Sequence, residues 1–339
     1  MIRQKNYNLE VVRMFSFVMV IAIHVANYYC RAFEAVSNGE YIFALLINTV
    51  SRVSVPCFFM LSGALLLGKK DTIKKGLQRA KDMLIKLLVW SVLYYLFNTY
   101  LVFQDTCSLA NFWYEPAEAH LWYLYVLIPI YVMLPFLQVL SNGMDETLEK
   151  AWIIIGFIWM AVFYAVSVFK KDVYYVLPIF GDRSYIYYFF VGYLIQKYKD
   201  RLPFKTKHYL MIFGICLAIV SGVTMAVTFT EQKHYEKFLN YGNPFVILAA
   251  MSFFAMILCI PKQKLCLTEQ AKKTIDNWSS CSFGIYIVHI FFLDLYKVNF
   301  DESFGYVYVL LPLLVVLLAC GSFVLIKILQ QSTFLKKLV

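Results

Sequence analysis

The feature that most constrains this chain is a series of apolar runs, each close to twenty residues long and separated by short polar connections. A hydrocarbon core about 30 Å thick is crossed by about twenty helical residues. Ten such runs can be placed, roughly at 10–30, 41–68, 83–103, 120–140, 150–169, 184–197, 208–230, 241–260, 280–297 and 304–328. The sixth is short and has room to begin near Val176, with Pro178 and Gly181 interrupting it. The second is long enough to tilt or to extend past the bilayer. Of the 339 residues, 61% are hydrophobic and 15% charged, more apolar surface than one soluble core can bury. The expected fold is therefore all-α: a polytopic transmembrane bundle of about ten helices.

Orientation follows from lysine and arginine. With the N-terminus inside, 21 of them fall in cytoplasmic segments and 7 in external loops, which favours an arrangement with both termini cytoplasmic. The net charge of +10 is explained by these loops. No basic face is left over, so nucleic acid is not an expected partner. The first run, Phe15 to Tyr29, has no small-residue cleavage site after it and reads as an uncleaved signal anchor. The eight cysteines form no close C-x-x-C pair. They read as small apolar packing residues, without a disulfide framework or a metal site.

Ionisable side chains inside spans are costly and call for a reason. Helix one carries Arg13 and His24, eleven residues apart. That spacing ends about 20° past three full turns, so both share a face, about 16 Å apart along the axis. Arg13 would lie near the cytoplasmic edge, where it could simply snorkel, and His24 nearer the outer leaflet. Arg52 lies near mid-membrane in the second span, followed by Pro56, which frees a backbone carbonyl and kinks the helix. Ser62 and Gly63 follow, small enough for close helix contact. An arginine beside a broken helix reads as the lining of a polar cavity, and neither helix offers it an intramembrane acid.

The fourth span opens with His120, Trp122 and Tyr123. An aromatic belt accounts for the last two, while His120 is positioned to join His24 at the outer end of a shared cavity. The ninth span reads S-S-C-S-F-G-I-Y-I-V-H-I. Ser279, Ser280 and Ser282 would cap its start, and His289 at mid-depth is as readily a packing residue. Arg183 opens the sixth span, facing either the cavity or headgroups.

These motifs resemble the acyltransferase-3 family of bacterial membrane O-acyltransferases, over nearly the whole chain. The resemblance rests on the arginine, ten residues, histidine pattern at Arg13 and His24; on Arg52, Pro56, Phe58, Phe59, Ser62 and Gly63; on H-L-W-Y-L at 120–124; and on S-F-G-I-Y-I-V-H at 282–289. It implies one membrane-embedded acyltransferase-3-like domain over 1–339 with no soluble domain. It also implies transfer of an acyl group, usually acetyl, from cytoplasmic acyl-CoA to a hydroxyl of a cell-surface or lipid-linked glycan. The setting would be the bacterial cytoplasmic membrane. Acetyl-CoA or another acyl-CoA would be a co-substrate rather than a bound cofactor.

On this reading His24 is the general base or transient acyl carrier. Arg13 and Arg52 bind the donor, and Arg52 doubles as an oxyanion stabiliser. His120, Trp122 and Tyr123 shape the acceptor entrance, with Ser62, Arg183, Ser282 and His289 as further candidates. Partners would be membrane lipid, acyl-CoA and the glycan, with an oligomer or a partner protein possible. A transporter or flippase of a polysaccharide or lipid-linked glycan is the alternative, since arginine and histidines also suit an anionic substrate in transit. A ligand sensor or structural subunit explains the buried polar groups less well.

Overall fold

Within hydrocarbon every peptide group must find its hydrogen bond inside the chain, which leaves helices or closed barrels. The computed structural model describes residues 5–102, 109–169, 185–261, 267–302 and 305–339, and it is all-helical over them, with no strand. The principal helices are α1 (Tyr7–Arg31), α2 (Asn38–Ser51), α3 (Ser54–Leu66), α4 (Ile73–Phe97), α5 (Trp122–Gly143) and α6 (Glu146–Val168). They are followed by α7 (Tyr185–Lys197), α8 (Thr206–Glu231), α9 (Pro244–Leu258), α10 (Glu269–Asn299) and α11 (Val307–Leu329). Nine helical stretches among the described residues are long and apolar enough to cross a bilayer, with α2 and α3 together making one of them. Residues such as Phe15, Val139, Val309 and Val316 turn large apolar side chains outward, as a lipid-facing surface requires.

The expected sixth span is α7, whose described part has 13 residues, about 20 Å of helix. Val176, Pro178 and Gly181 lie outside the described residues. Two other expectations need correction. The helix anticipated at 83 begins at Ile73, capped by Thr72, and the one anticipated at 280 begins at Glu269, capped by Thr268. Each runs on beyond its apolar stretch as a charged helix that a hydropathy pattern does not reveal. Ser279, Ser280 and Ser282 are therefore interior to α10 rather than capping it. The Ser282 hydroxyl donates to the Ser279 carbonyl at 2.8 Å.

The second span breaks where Pro56 dictates. Proline has no N–H to give to the carbonyl four residues back, and its ring crowds that carbonyl. The residue four back is Arg52. Helix α2 closes with the Arg52 N–H on the Asn48 carbonyl at 3.1 Å, and α3 resumes with the Cys57 N–H on the Val53 carbonyl at 3.0 Å. The chain turns at Arg52 and Val53 between them.

Lys5 pairs with Asp276 in the first half of α10 at 2.6 Å, and Gln330, just past α11, lies 3.8 Å from Cys281 of α10. The start of α1 and the end of α11 thus meet at one end of the bundle, hereafter the termini end. There the α3–α4 loop is fastened by Asp71, whose buried carboxylate accepts from Lys75 at 2.6 Å and Arg79 at 2.5 Å. Gln138 of α5 adds a third donor at 3.1 Å. Burial alone would raise this carboxyl; the three donors outweigh it and hold it well below the usual carboxylate range. Helix α1 is central, packed against α2, α3, α9, α10 and α11.

Helices α3 and α7 touch backbone to backbone. A Cβ on Gly63 would lie 1.7 Å from the Phe189 carbonyl oxygen, and one on Gly192 would lie 2.1 Å from that of Met60. Small residues at such crossings let membrane helices approach this closely. Gly192→Val should therefore lower stability by about 2–3 kcal/mol. Gly222→Val, at a site with nothing within 4 Å, should change it by no more than about 0.5 kcal/mol. Thermal unfolding in detergent checks this; equal losses at the two sites would contradict the packing.

Candidate functional site

One face of α1 lines a cavity of about 450 Å³. Arg13, Val20, His24, Asn27 and Arg31 contribute to it, at the three- and four-residue intervals (and their sums) that keep side chains on one stripe. From Arg13 to Arg31 the stripe rises about 27 Å, nearly the thickness of the hydrocarbon core. The facing walls are Arg52, Phe58 and Ser62 of the broken span, Trp122, Tyr123 and Tyr131 of α5, Ser282, Phe283 and Tyr286 of α10, and Tyr241. Arg13, His24, Arg52, Ser62, His120, Trp122, Tyr123 and Ser282, all singled out from sequence, line this one cavity. Arg183 lies outside the described residues.

His289 is brought to the site as well. The His24 ring lies 5.2 Å from that of His289 and 6.3 Å from that of His120, and the latter two are 5.6 Å apart, centre to centre. Three helical segments meet here. His120 Nε2 donates to the Ile287 carbonyl at 3.0 Å, and His289 Nδ1 donates to the Tyr286 carbonyl at 2.7 Å. A carbonyl only accepts, so these contacts fix both tautomers and leave His120 Nδ1 and His289 Nε2 as acceptors. Both are buried without a hydrogen-bond partner among the described residues. The frame around them is tight: Tyr94 donates to the same Ile287 carbonyl at 2.6 Å, and Tyr286 donates to the His120 carbonyl. Among the described residues no group of His, Cys, Asp or Glu is arranged to hold a metal ion.

His24 differs from the other two in being only partly buried, and it lines the cavity together with His120. It also lines a second cavity of about 710 Å³ at the end of the bundle opposite the termini, shared with Asn27 and Arg31 and bordered by Glu118, His234 and Lys297. His24 therefore stands where the two spaces meet. Arg31 is held by Glu236 through contacts of 2.5 and 3.2 Å. His234 Nδ1 lies 3.0 Å from the Tyr41 hydroxyl. Burial first, together with the neighbouring arginines, lowers the His234 imidazole to about 4, against the opposing pull of Glu236, so it is neutral at physiological pH.

The arginines are held in different ways. Arg13 donates to Glu10 at 2.7 Å, one turn earlier, so it is neither a free cation nor simply snorkelling. Among the described residues Arg52, as its helices foretold, has no acid in hydrogen-bond contact. Its Nε donates to Asn48 Oδ1 at 3.0 Å, and Tyr241 also engages it. Asn48 in turn donates to Asn27 Oδ1 at 3.1 Å. Sequence reasoning missed Asn27 and Asn48. Their signal was available, since Asn27 falls on the Arg13–His24 stripe three residues beyond His24, and Asn48 lies one turn before Arg52.

A helical bundle in which arginines and histidines from several spans line one cavity is a membrane protein with a polar site between its helices. The family model for an acyltransferase domain, acyltransferase-3, matches residues 6–329. The chain belongs to that family and is a membrane acyltransferase. No curated protein and no solved structure matches it.

The difference in access among the histidines can be measured. Brief treatment of the detergent-solubilised protein with diethylpyrocarbonate should modify His24 and spare His120 and His289, as read by peptide mass spectrometry. Modification of His120 or His289 ahead of His24 would mean that the cavity is wrongly placed.

Proposed function

We propose that this protein moves an acyl group, most readily acetyl, from acyl-CoA to a hydroxyl of a cell-surface or lipid-linked glycan. The observation that carries the reading is the position of His24 on the walls of two cavities, one reaching Arg13 toward the termini end and the other lined by Glu118, Lys233 and Glu302 at the opposite end. Donor and acceptor can then approach one base from opposite sides. The positive-inside bias favours cytoplasmic termini, and with that orientation the Arg13 end is the donor side of a bacterial cytoplasmic membrane.

At that end Arg13 offers a guanidinium to the anionic part of the donor. Lys86 adds a second cation, its Nζ held 4.4 Å from the centre of the cavity-lining Phe283 ring. An extended pantetheine arm would reach from there along the α1 stripe to His24. The wider opposite cavity, with Glu118, Lys233, Lys297 and Glu302, supplies the mixed polar groups that a sugar needs. Trp122 and Tyr123 give flat faces against which a sugar or acyl group can lie.

The reaction then follows from the groups present. His24 takes the proton of the acceptor hydroxyl as its oxygen attacks the thioester carbon. The carbonyl electron pair moves onto oxygen, and Arg52 offsets the charge that develops there. The C–S bond breaks, and the departing thiolate takes the proton back from His24, so the ester and free CoA leave.

Purified protein in nanodiscs given acetyl-CoA should release thiol, slowly with water and faster with an acceptor alcohol. His24→Ala should lower the rate about 10²–10⁴-fold with unchanged thermal unfolding. Arg13→Gln should act mainly through a higher KM for acetyl-CoA. Full activity in His24→Ala would overturn the assignment of the base.

A further inference from the structure

Asn27 sits one turn beyond His24 on the cavity face of α1, where side chains three apart are neighbours, and it lines both cavities. Its side chain is held by a chain of donors whose direction has only one solution. A guanidinium can only donate, so the Arg52 Nε contact at 3.0 Å requires the Asn48 oxygen to face Arg52. The Asn48 NH₂ must then face Asn27, and at 3.1 Å it requires the Asn27 oxygen as its acceptor. Asn48 is fully buried, so solvent offers it no alternative. Cys30, which also engages Asn48, is both a weak donor and a weak acceptor and does not reverse the order. What remains of Asn27 is its NH₂, with two N–H groups, and it donates to no residue among the described ones. An interhelical asparagine pair acting only as glue would serve equally well in either orientation. Arg52 removes that freedom.

We propose that Asn27 is the hydrogen-bond donor for the acyl carbonyl oxygen, and that Asn48 is the positioning residue that turns the Asn27 amide toward it. The role rests on the acyl-transfer reading above. As the acceptor oxygen bonds to the thioester carbon and its proton passes to His24, the carbonyl π pair moves to oxygen. An Asn27 N–H and the Arg52 guanidinium bracket that oxygen. When the pair returns, the C–S bond breaks and the thiolate leaves with the proton from His24. Two fixed donors directed at a developing charge are the arrangement from which acyl-transfer sites draw most of their acceleration. The connection through Asn48 makes the two donors a unit, because the contact that holds Arg52 also aims Asn27.

Two isosteric variants test this without altering side-chain volume. Asn27→Asp removes the donor outright. Asn48→Asp still accepts from Arg52 but can no longer donate, so the Asn27 amide must turn its NH₂ toward position 48 and present oxygen to the cavity. Thiol release is followed from acetyl-CoA with methyl α-glucoside as acceptor, alongside thermal unfolding in the same detergent. Each variant should lose kcat about 10²–10³-fold, with KM for acetyl-CoA changed no more than about threefold. Asn27→Ser, which keeps a donor hydroxyl, should recover at least about tenfold over Asn27→Asp, and it decides the matter if the aspartate variant fails to fold. If the wild type is active and His24→Ala is not, while both aspartate variants keep the wild-type kcat or change only KM, the Asn27 role is overturned and the acyl-transfer reading stands. If the wild type releases no thiol, the acyl-CoA reading itself fails and takes this role with it.

Discussion

The rest of the site depends on how Arg52 is accommodated within the apolar bundle. A guanidinium in hydrocarbon costs at least about 2.5 kcal/mol even on scales that allow it to relax, and among the described residues no acid is in hydrogen-bond contact with it. The chain meets that cost with Asn48, Tyr241 and an open space beside the side chain. The same proline that interrupts the span makes this possible. Pro56 removes one helical hydrogen bond, and the chain turns at Arg52 and Val53, where Arg52 lines the cavity that α1 also lines.

Given that cavity, the histidines sort themselves by their partners. His120 and His289 each spend one nitrogen on a backbone carbonyl of α10 and are locked in place. His24 has no such restraint and faces the space. In the proposed reaction, a base that must gain and lose a proton within one turnover benefits from a ring that stays free to meet substrate. The tight α3–α7 crossing at Gly63 and Gly192 serves the same end, because it fixes the second half of the broken span against which α1 and α5 present their polar residues.

Much of this was legible in the sequence, and the limits have physical causes. The Arg13–His24 stripe follows from 100° per residue alone, and the break follows from Pro56. The starts of α4 and α10 were placed about ten residues late, because charged helix outside the bilayer carries no hydropathy signal. His289 read as a packing residue because its meeting with His24 and His120 joins three distant segments, which no local spacing records. Asn48 and Asn27 were passed over for a similar reason. An asparagine in a membrane helix is an ordinary packing contact until the arginine that sets its orientation is seen beside it.

The central claim is that one base serves substrates arriving from opposite faces. It is tested most directly in proteoliposomes of uniform orientation, with labelled acetyl-CoA outside against the termini end and methyl α-glucoside trapped in the lumen. The account predicts labelled acetyl ester in the lumen, dependent on His24, while free acetyl-CoA stays outside. Ester formed only when donor and acceptor share the same compartment would contradict it.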